Sequence, residues 1–210
     1  MNTSPAVGPG LRERKKQQTR EALSWAALRL AVERGLANVL VEDIAAEAGV
    51  SPRTYNNYFS SKAEAITWRH LDRARRTADL LRARPADEPL WESITNAVVA
   101  QAGDEGASPG PEWIAGVRLM LSEPELQGEF LKAGAAADQE CAVAIAERTG
   151  TDADADLYPR LLAAAIGAAI QVANEQWLRA DPPVPLAPLL RDALNQIAAG
   201  LPAPATGTSR

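Results

Sequence analysis

The chain predicts an all-α protein of about nine helices, on three observations. Alanine supplies 42 of the 210 residues, and alanine is the strongest helix former and lets helices approach closely. No alternating run of Val, Ile and Thr reaches strand length. Apolar residues recur instead at three- and four-residue spacings between Gly and Pro breaks.

The elements follow in order. Residues 1–10 and 201–210 are rich in Pro, Gly, Ala, Ser and Thr and are expected as disordered tails. Arg12, Arg14, Lys15, Lys16 and Arg20 are expected to form a basic arm leading into a first helix. Such an arm either reaches phosphates or the minor groove, or is a solvated tail. A second helix is predicted over 41–48, with Ile44, Ala45 and Ala48 sharing a face. Gly49 follows, where a helix end favours a residue tolerant of positive φ, and Val50 can plug the angle beyond it. Ser51 is then a suitable N-cap and Pro52 a suitable first residue for a third helix over 52–59. Two helices joined by a short Gly-containing turn make a helix-turn-helix pattern.

The third helix carries the chemistry. Pro52, Tyr55 and Phe59 share the side expected to be buried, while Arg53 and Asn57 point out with Thr54 and Asn56 beside them. Arg bonds guanine O6 and N7 in bidentate fashion, and Asn does the same to adenine N6 and N7. Arg53, Asn56 and Asn57 are therefore the expected base readers. Arg20, Ser51, Thr54, Tyr58 and Lys62 are the expected phosphate contacts, which position a reader without reading sequence. The competing interpretation of this helix alone is a solvated amphipathic segment that binds nothing.

Thr19-Arg20, Ala26-Ala27-Leu28, Leu30, Glu33-Arg34-Gly35, residues 41–45, residues 48–51 and residues 59–62 together resemble the TetR family of bacterial regulators. The resemblance covers about residues 12–66, and the segment from Arg53 to Phe59 is similar to an actinobacterial subgroup with members linked to mycofactocin gene clusters. It implies a DNA-binding domain over 11–60 and a helical regulatory and dimerisation domain over 61–200. Three positions depart from the family pattern. Leu40 stands where a Thr usually caps the second helix, and Asn56 where a Tyr usually contacts phosphate, so Tyr58 is expected to take over that contact. Ala31 replaces a core Phe, while Trp25 sits where the family tends to be polar.

Charge divides the chain. Residues 1–84 carry 15 basic against 9 acidic side chains, a net of +6, whereas residues 85–210 carry 7 against 18, a net of −11. Phosphate neutralisation needs local basicity of this kind, not a basic whole. No apolar run is long enough for a membrane span, and residues 1–20 lack a signal-peptide core. A single cysteine, Cys141, excludes an internal disulfide and fits a reducing cytoplasm. One His, one Cys and no spaced ligand cluster argue against an enzyme, a metal or a cofactor. Asp152, Asp154 and Asp156 read as a solvated loop and lack the spacing of an EF-hand.

A fourth helix is predicted over 61–84 and a fifth over 90–101, with a loop at 103–111. Further helices are predicted over 112–121, 123–149, 155–179 and 185–199. The last two supply the expected homodimer interface, through Ala165, Ala168, Ala169, Val172, Leu190, Leu194 and Ile197, unless this face packs inside one subunit. Gly167 and its alanine neighbours are expected to let a second backbone approach closely. Trp91, Trp113, Met120, Phe130 and Trp177 are the expected lining of an apolar effector pocket, with a plain core role as the alternative. His70, on the fourth helix, is either a proton switch or a buried, hydrogen-bonded His, and Cys141 a small core residue.

The expected function is a ligand-responsive repressor. As a dimer it binds a double-stranded operator, and a small apolar or amphipathic effector releases it. The alternatives are a DNA-binding regulator without an effector, or an enzyme using the apolar middle section.

Overall fold

The structure, a computed structural model, describes residues 10–102, 111–180 and 184–202, without the side chains of residues 111–113 and 121. The expected tails, apart from Gly10, Leu201 and Pro202, and most of the expected 103–111 loop lie outside the described residues. Nine α-helices appear among them: α1 Leu11–Arg34, α2 Val41–Glu47, α3 Pro52–Asn56, α4 Lys62–Ala83, α5 Leu90–Val99, α6 Pro111–Ser122, α7 Pro124–Thr149, α8 Leu157–Arg179 and α9 Leu186–Ala198. No strand occurs among the described residues. None of these helices is long and apolar enough to cross a membrane.

Two elements differ from the sequence pattern. The basic run 12–20 belongs to α1 itself, because Lys, Arg and Gln are good helix formers and no breaker interrupts residues 11–34. α3 ends at Asn56, three residues early: the amides of Asn57 and Tyr58 turn to the carbonyls of Thr54 and Tyr55, tightening the last turn.

The chain forms two compact units, residues 1–69 with 115–130, and residues 70–114 with 131–210. The sequence places the division near residue 60, but packing carries the first turns of α4 into the first unit. Ala63, Ile66 and Trp68 of α4 are buried with Leu23, Leu30, Ile44, Tyr55 and Phe59. Leu126 of α7 is fully buried in the same cluster. Gly116 of α6 is small for a reason: a Cβ there would meet Leu28 Cδ2 at 3.0 Å.

The second unit packs α4, α5, α7, α8 and α9 around Ala78, Leu81, Ile94, Val98, Ile145, Ile166, Leu190 and Leu194. Its α4–α5 corner is tied by Arg148, whose guanidinium donates to the carbonyls of Arg84, Pro85 and Glu88. The Trp177 indole N–H donates to Val184 O at 2.9 Å, fastening the end of α8 to the approach of α9.

Candidate nucleic-acid interface

The turn between α2 and α3 is built as its residue types require. Gly49 takes φ +69°, the left-handed region that glycine enters without penalty. Ser51 Oγ accepts from Thr54 N at 3.1 Å and shares a hydrogen bond with Thr54 Oγ1 at 2.9 Å, capping α3. Pro52 occupies the first turn, where no N–H is needed. At the start of α2, Leu40 has no acceptor to offer. The reverse half of the cap survives, since Leu40 N donates to Asp43 Oδ2 at 3.2 Å. Two exposed ion pairs, Arg29–Glu47 and Arg34–Asp43, also join α1 and α2.

Tyr55 is fully buried, and its hydroxyl donates to Ser61 O at 2.8 Å. Burial, with the Glu64 charge adding to it, pushes the phenol pKa above the usual tyrosine value, so the hydroxyl stays a donor. This bond fixes α3 against the start of α4, and with the inner face locked, Arg53, Asn56 and Asn57 are all exposed on the outer one. Thr54 and Tyr58 are half-buried at its edges and Ser51 is exposed at its start.

Two of the expected phosphate contacts are engaged internally. Lys62 Nζ donates to Leu36 O and Val39 O, each at 2.8 Å, bracing the 3₁₀ turn Leu36–Asn38 that precedes α2. At most one of its N–H groups remains for a phosphate. The Arg20 guanidinium carbon lies 5.8–5.9 Å from the ring centres of Tyr58, Phe59 and Trp68, within cation–π range. Neither role is legible from spacing: the acceptors of Lys62 lie 23 and 26 residues earlier, and helical periodicity says nothing about them. The tyrosine partner had a weaker signal, since a buried phenol needs an acceptor and only a turn follows it. Trp25, half-exposed, is covered by Arg69, whose guanidinium carbon stands 3.3 Å from the ring centre.

In the second unit a cavity of about 10 Å³ is lined by Thr77, Ala78, Leu81, Ile94, Ala97, Val98, Cys141, Ile145 and Ile166. It has room for about one water. The expected aromatic lining is not what surrounds it. Trp91 packs on this core without lining the cavity, and Trp177 is held by its bond to Val184. Met120 packs on the core of the first unit, Phe130 is half-buried there, and the Trp113 side chain lies outside the described residues. Trp91 and Trp177 serve here as packing volume, and mostly small or aliphatic residues line the gap.

Burial, with the nearby Asp138 and Glu140 charges, pushes the Cys141 thiol up to about 11, so it is a protonated, inert wall of the cavity at neutral pH. Burial lowers His70 to about 4, helped by the Arg73 charge, which keeps the imidazole neutral. Asp152 Oδ1 accepts from the amides of Asp154 and Ala155, and Asp156 Oδ2 from that of Asp152, so these carboxylates close their own loop. No cluster suited to a metal ion occurs among the described residues.

The expected dimer face needs correcting. Ala169, Leu190 and Leu194 are at most 4% exposed and belong to the subunit's own core. Gly167 admits the Asp138 carboxylate of α7, 3.0 Å from where its Cβ would be, and not a second backbone. Ala168 and Val172 are exposed, Ala165 and Ile197 half-buried. With Leu157 and Leu161, at 78% and 62% exposure, the α8 residues make an uncovered apolar stripe at helical spacing.

Residues 25–65 match the family described as bacterial regulatory proteins, tetR family, and residues 88–202 match the MftR C-terminal domain. The chain is 37% identical over 183 residues to the HTH-type transcriptional regulator TcmR of Streptomyces glaucescens, covering 83% of this chain and 80% of that one. It is 30% identical over 194 residues to a protein of Mycobacterium tuberculosis named for mycofactocin biosynthesis regulation, MftR, covering 90% and 93%. The fold is similar to that of Thermus thermophilus FadR, a repressor solved with lauroyl-CoA, at a TM-score of 0.53 and 19% identity over 90% of this chain and all of the other.

Proposed function

Because the chain belongs to the TetR family of bacterial regulatory proteins, we propose that it acts as a homodimeric repressor. It binds an operator through α2 and α3 and is released by a small apolar or amphipathic effector. One observation carries the DNA reading: Arg53, Asn56 and Asn57 are all exposed on a helix whose opposite face is locked by the Ser51 cap and the buried Tyr55. Arg and Asn are the side chains that discriminate guanine and adenine in the major groove. Ser51, Thr54 and Tyr58 border them as phosphate contacts, while Arg20 acts chiefly by holding the Tyr58 ring.

The uncovered stripe of Leu161, Ala165, Ala168 and Val172 on α8, beside the half-buried Leu189, Ala193 and Ile197 on α9, supports dimerisation. Apolar rows of this length on two adjoining helices favour a partner over water. A two-fold pair of readers also enters successive major grooves when they stand about 34–36 Å apart.

The test begins with selecting the preferred duplex from random sequence, followed by mobility-shift titration. Arg53→Ala and Asn57→Ala are each expected to lower preference for it by about 1–3 kcal/mol, the discrimination that one bidentate base pairing supplies. Unchanged preference in both variants would overturn the assignment of the reading face.

A second reading, a regulator without an effector, has one observation in its favour. The cavity of about 10 Å³ is far below the ~300–1,000 Å³ of formed small-molecule sites. A thermal-shift screen of apolar compounds, followed by release of bound duplex, separates the two. Compounds that stabilise the protein yet never release the duplex favour the second.

A further inference from the structure

We propose that the first turns of α1 form a rigid phosphate-binding ridge, with Arg12 and Lys16 gripping the DNA backbone beside the reading helix. The buried side of α1 begins only at Leu23, so residues 11–16 are exposed helix. Successive residues turn by about 100°, which puts Arg12, Lys16 and Arg20 in one row. That row runs straight into Leu23, Ala27 and Leu30, the side of α1 that packs onto the helix-turn-helix core. Arg14 stands about 160° around the helix from Lys16, on the back.

The row is tied to the reader at its inner end. Arg20 lies 5.8 Å from the centre of the Tyr58 ring, and Tyr58 immediately follows the exposed Asn57. Each step of four residues advances about 6 Å along α1, so Lys16 and Arg12 continue the line about 6 and 12 Å beyond that point. Long Lys and Arg side chains at that interval can take up neighbouring phosphates of one strand.

The composition decides between partners. Residues 11–20 hold five basic side chains against Glu13 alone, and Glu13 makes only an exposed pair with Lys16 at 3.7 Å, which contributes little. Leu11 is the one apolar side chain in residues 11–21, too little for a protein-docking or membrane-lying helix. A polyanion fits. Because these turns are already helical, binding would order no flexible arm, and that entropy cost is avoided.

The inference rests on the DNA-binding reading above, and the two can fail separately. The full chain is titrated with its selected duplex and with a random duplex between 50 and 200 mM salt. The variants are R12Q/K16Q and the back-face control R14Q. Gln keeps helix propensity, and far-UV circular dichroism checks that it does. The double variant is expected to lower the slope of log affinity against log salt by about 1.8 per bound protomer, at about 0.9 per phosphate neutralised. Over that salt range it would lose roughly tenfold less affinity per protomer than the parent. Its preference for the selected duplex should stay the same, and R14Q should leave the slope alone. An unchanged slope in R12Q/K16Q overturns the ridge. So does an R14Q effect as large per charge removed, which would indicate only a diffuse positive field. A parent chain that retains neither duplex overturns the DNA-binding reading and the ridge with it.

Discussion

Lys62→Met separates an internal brace from a phosphate contact. Met keeps the apolar stem and removes the ammonium. The structure then loses two charge-assisted hydrogen bonds, from Nζ to Leu36 O and Val39 O, both at 2.8 Å. Bonds of this kind contribute about 1.5–3 kcal/mol each. Lys62 is half-buried, so water can reach part of what it leaves and the lower end applies. The expected loss is therefore about 3 kcal/mol, or a fall in Tm of about 6–12 °C for a chain of this size.

On the DNA side, two of three N–H groups are already used, so the salt slope should change by well under the ~0.9 that one neutralised phosphate contributes. Melting followed at 222 nm gives the first quantity. A salt titration well below the variant's Tm gives the second. An unchanged Tm with a slope lower by about 0.9 per protomer would show that the brace is incidental and that Lys62 acts on phosphate.

Two further tests use other parts of the molecule. His70 titrates near 4 when folded against about 6.5 when unfolded, so the unfolded chain binds the extra proton as pH falls. Its contribution is full above about pH 6.5 and is lost as pH drops toward 4, amounting to about 2 kcal/mol between pH 7 and 5. His70→Gln should flatten the pH dependence of urea unfolding by that amount, and parallel curves for the two proteins would refute it. Two glycines should respond to alanine with opposite signs. At Gly116 a Cβ meets buried Leu28 at 3.0 and 3.3 Å, and overpacking of about 1–3 kcal/mol outweighs the ~1 kcal/mol helix gain. At Gly167 it meets only the Asp138 carboxylate, the movable end of a half-buried side chain, so a net gain is expected. Equal shifts in the two urea midpoints would refute this contrast.

Helix placement was legible because it is local. Gly49, Ser51 and Pro52 act on their own backbone, and the structure gives each the role its chemistry implies. The outward set Arg53, Asn56 and Asn57 was legible for the same reason, since periodicity separates it from Tyr55 and Phe59, although Pro52, expected on their buried side, is exposed. Contacts across tens of residues were not. Nothing in the spacing of Lys62 points to two carbonyls near residue 38, and nothing in α1 shows that Arg20 meets Tyr58. The dimer face failed half-way for a related reason. α9 has one row, Leu186, Leu190 and Leu194, buried within the subunit, and a second, Leu189, Ala193 and Ile197, only half-buried. Both rows are apolar, so composition cannot tell which one a partner covers.

The cavity points to what an effector would have to do. Its wall comes from α4, α5, α7 and α8, all aliphatic or small apart from Thr77 and Cys141, and its ~10 Å³ holds no organic molecule. On the proposed function, binding at this cavity has to separate these helices, and the work of separation lowers apparent affinity by the fraction of time the core stands open. That requirement is also the source of regulation. A ligand fitting a formed pocket equally well in both states would shift nothing, whereas one that binds only an opened core favours that state by its full affinity. Thr77, Ala78 and Leu81 put α4 in the wall, and the same continuous helix begins at Lys62, beside the Tyr55–Ser61 bond that holds the reader. A cavity this small at rest thus serves the sensor role when its opening displaces α4.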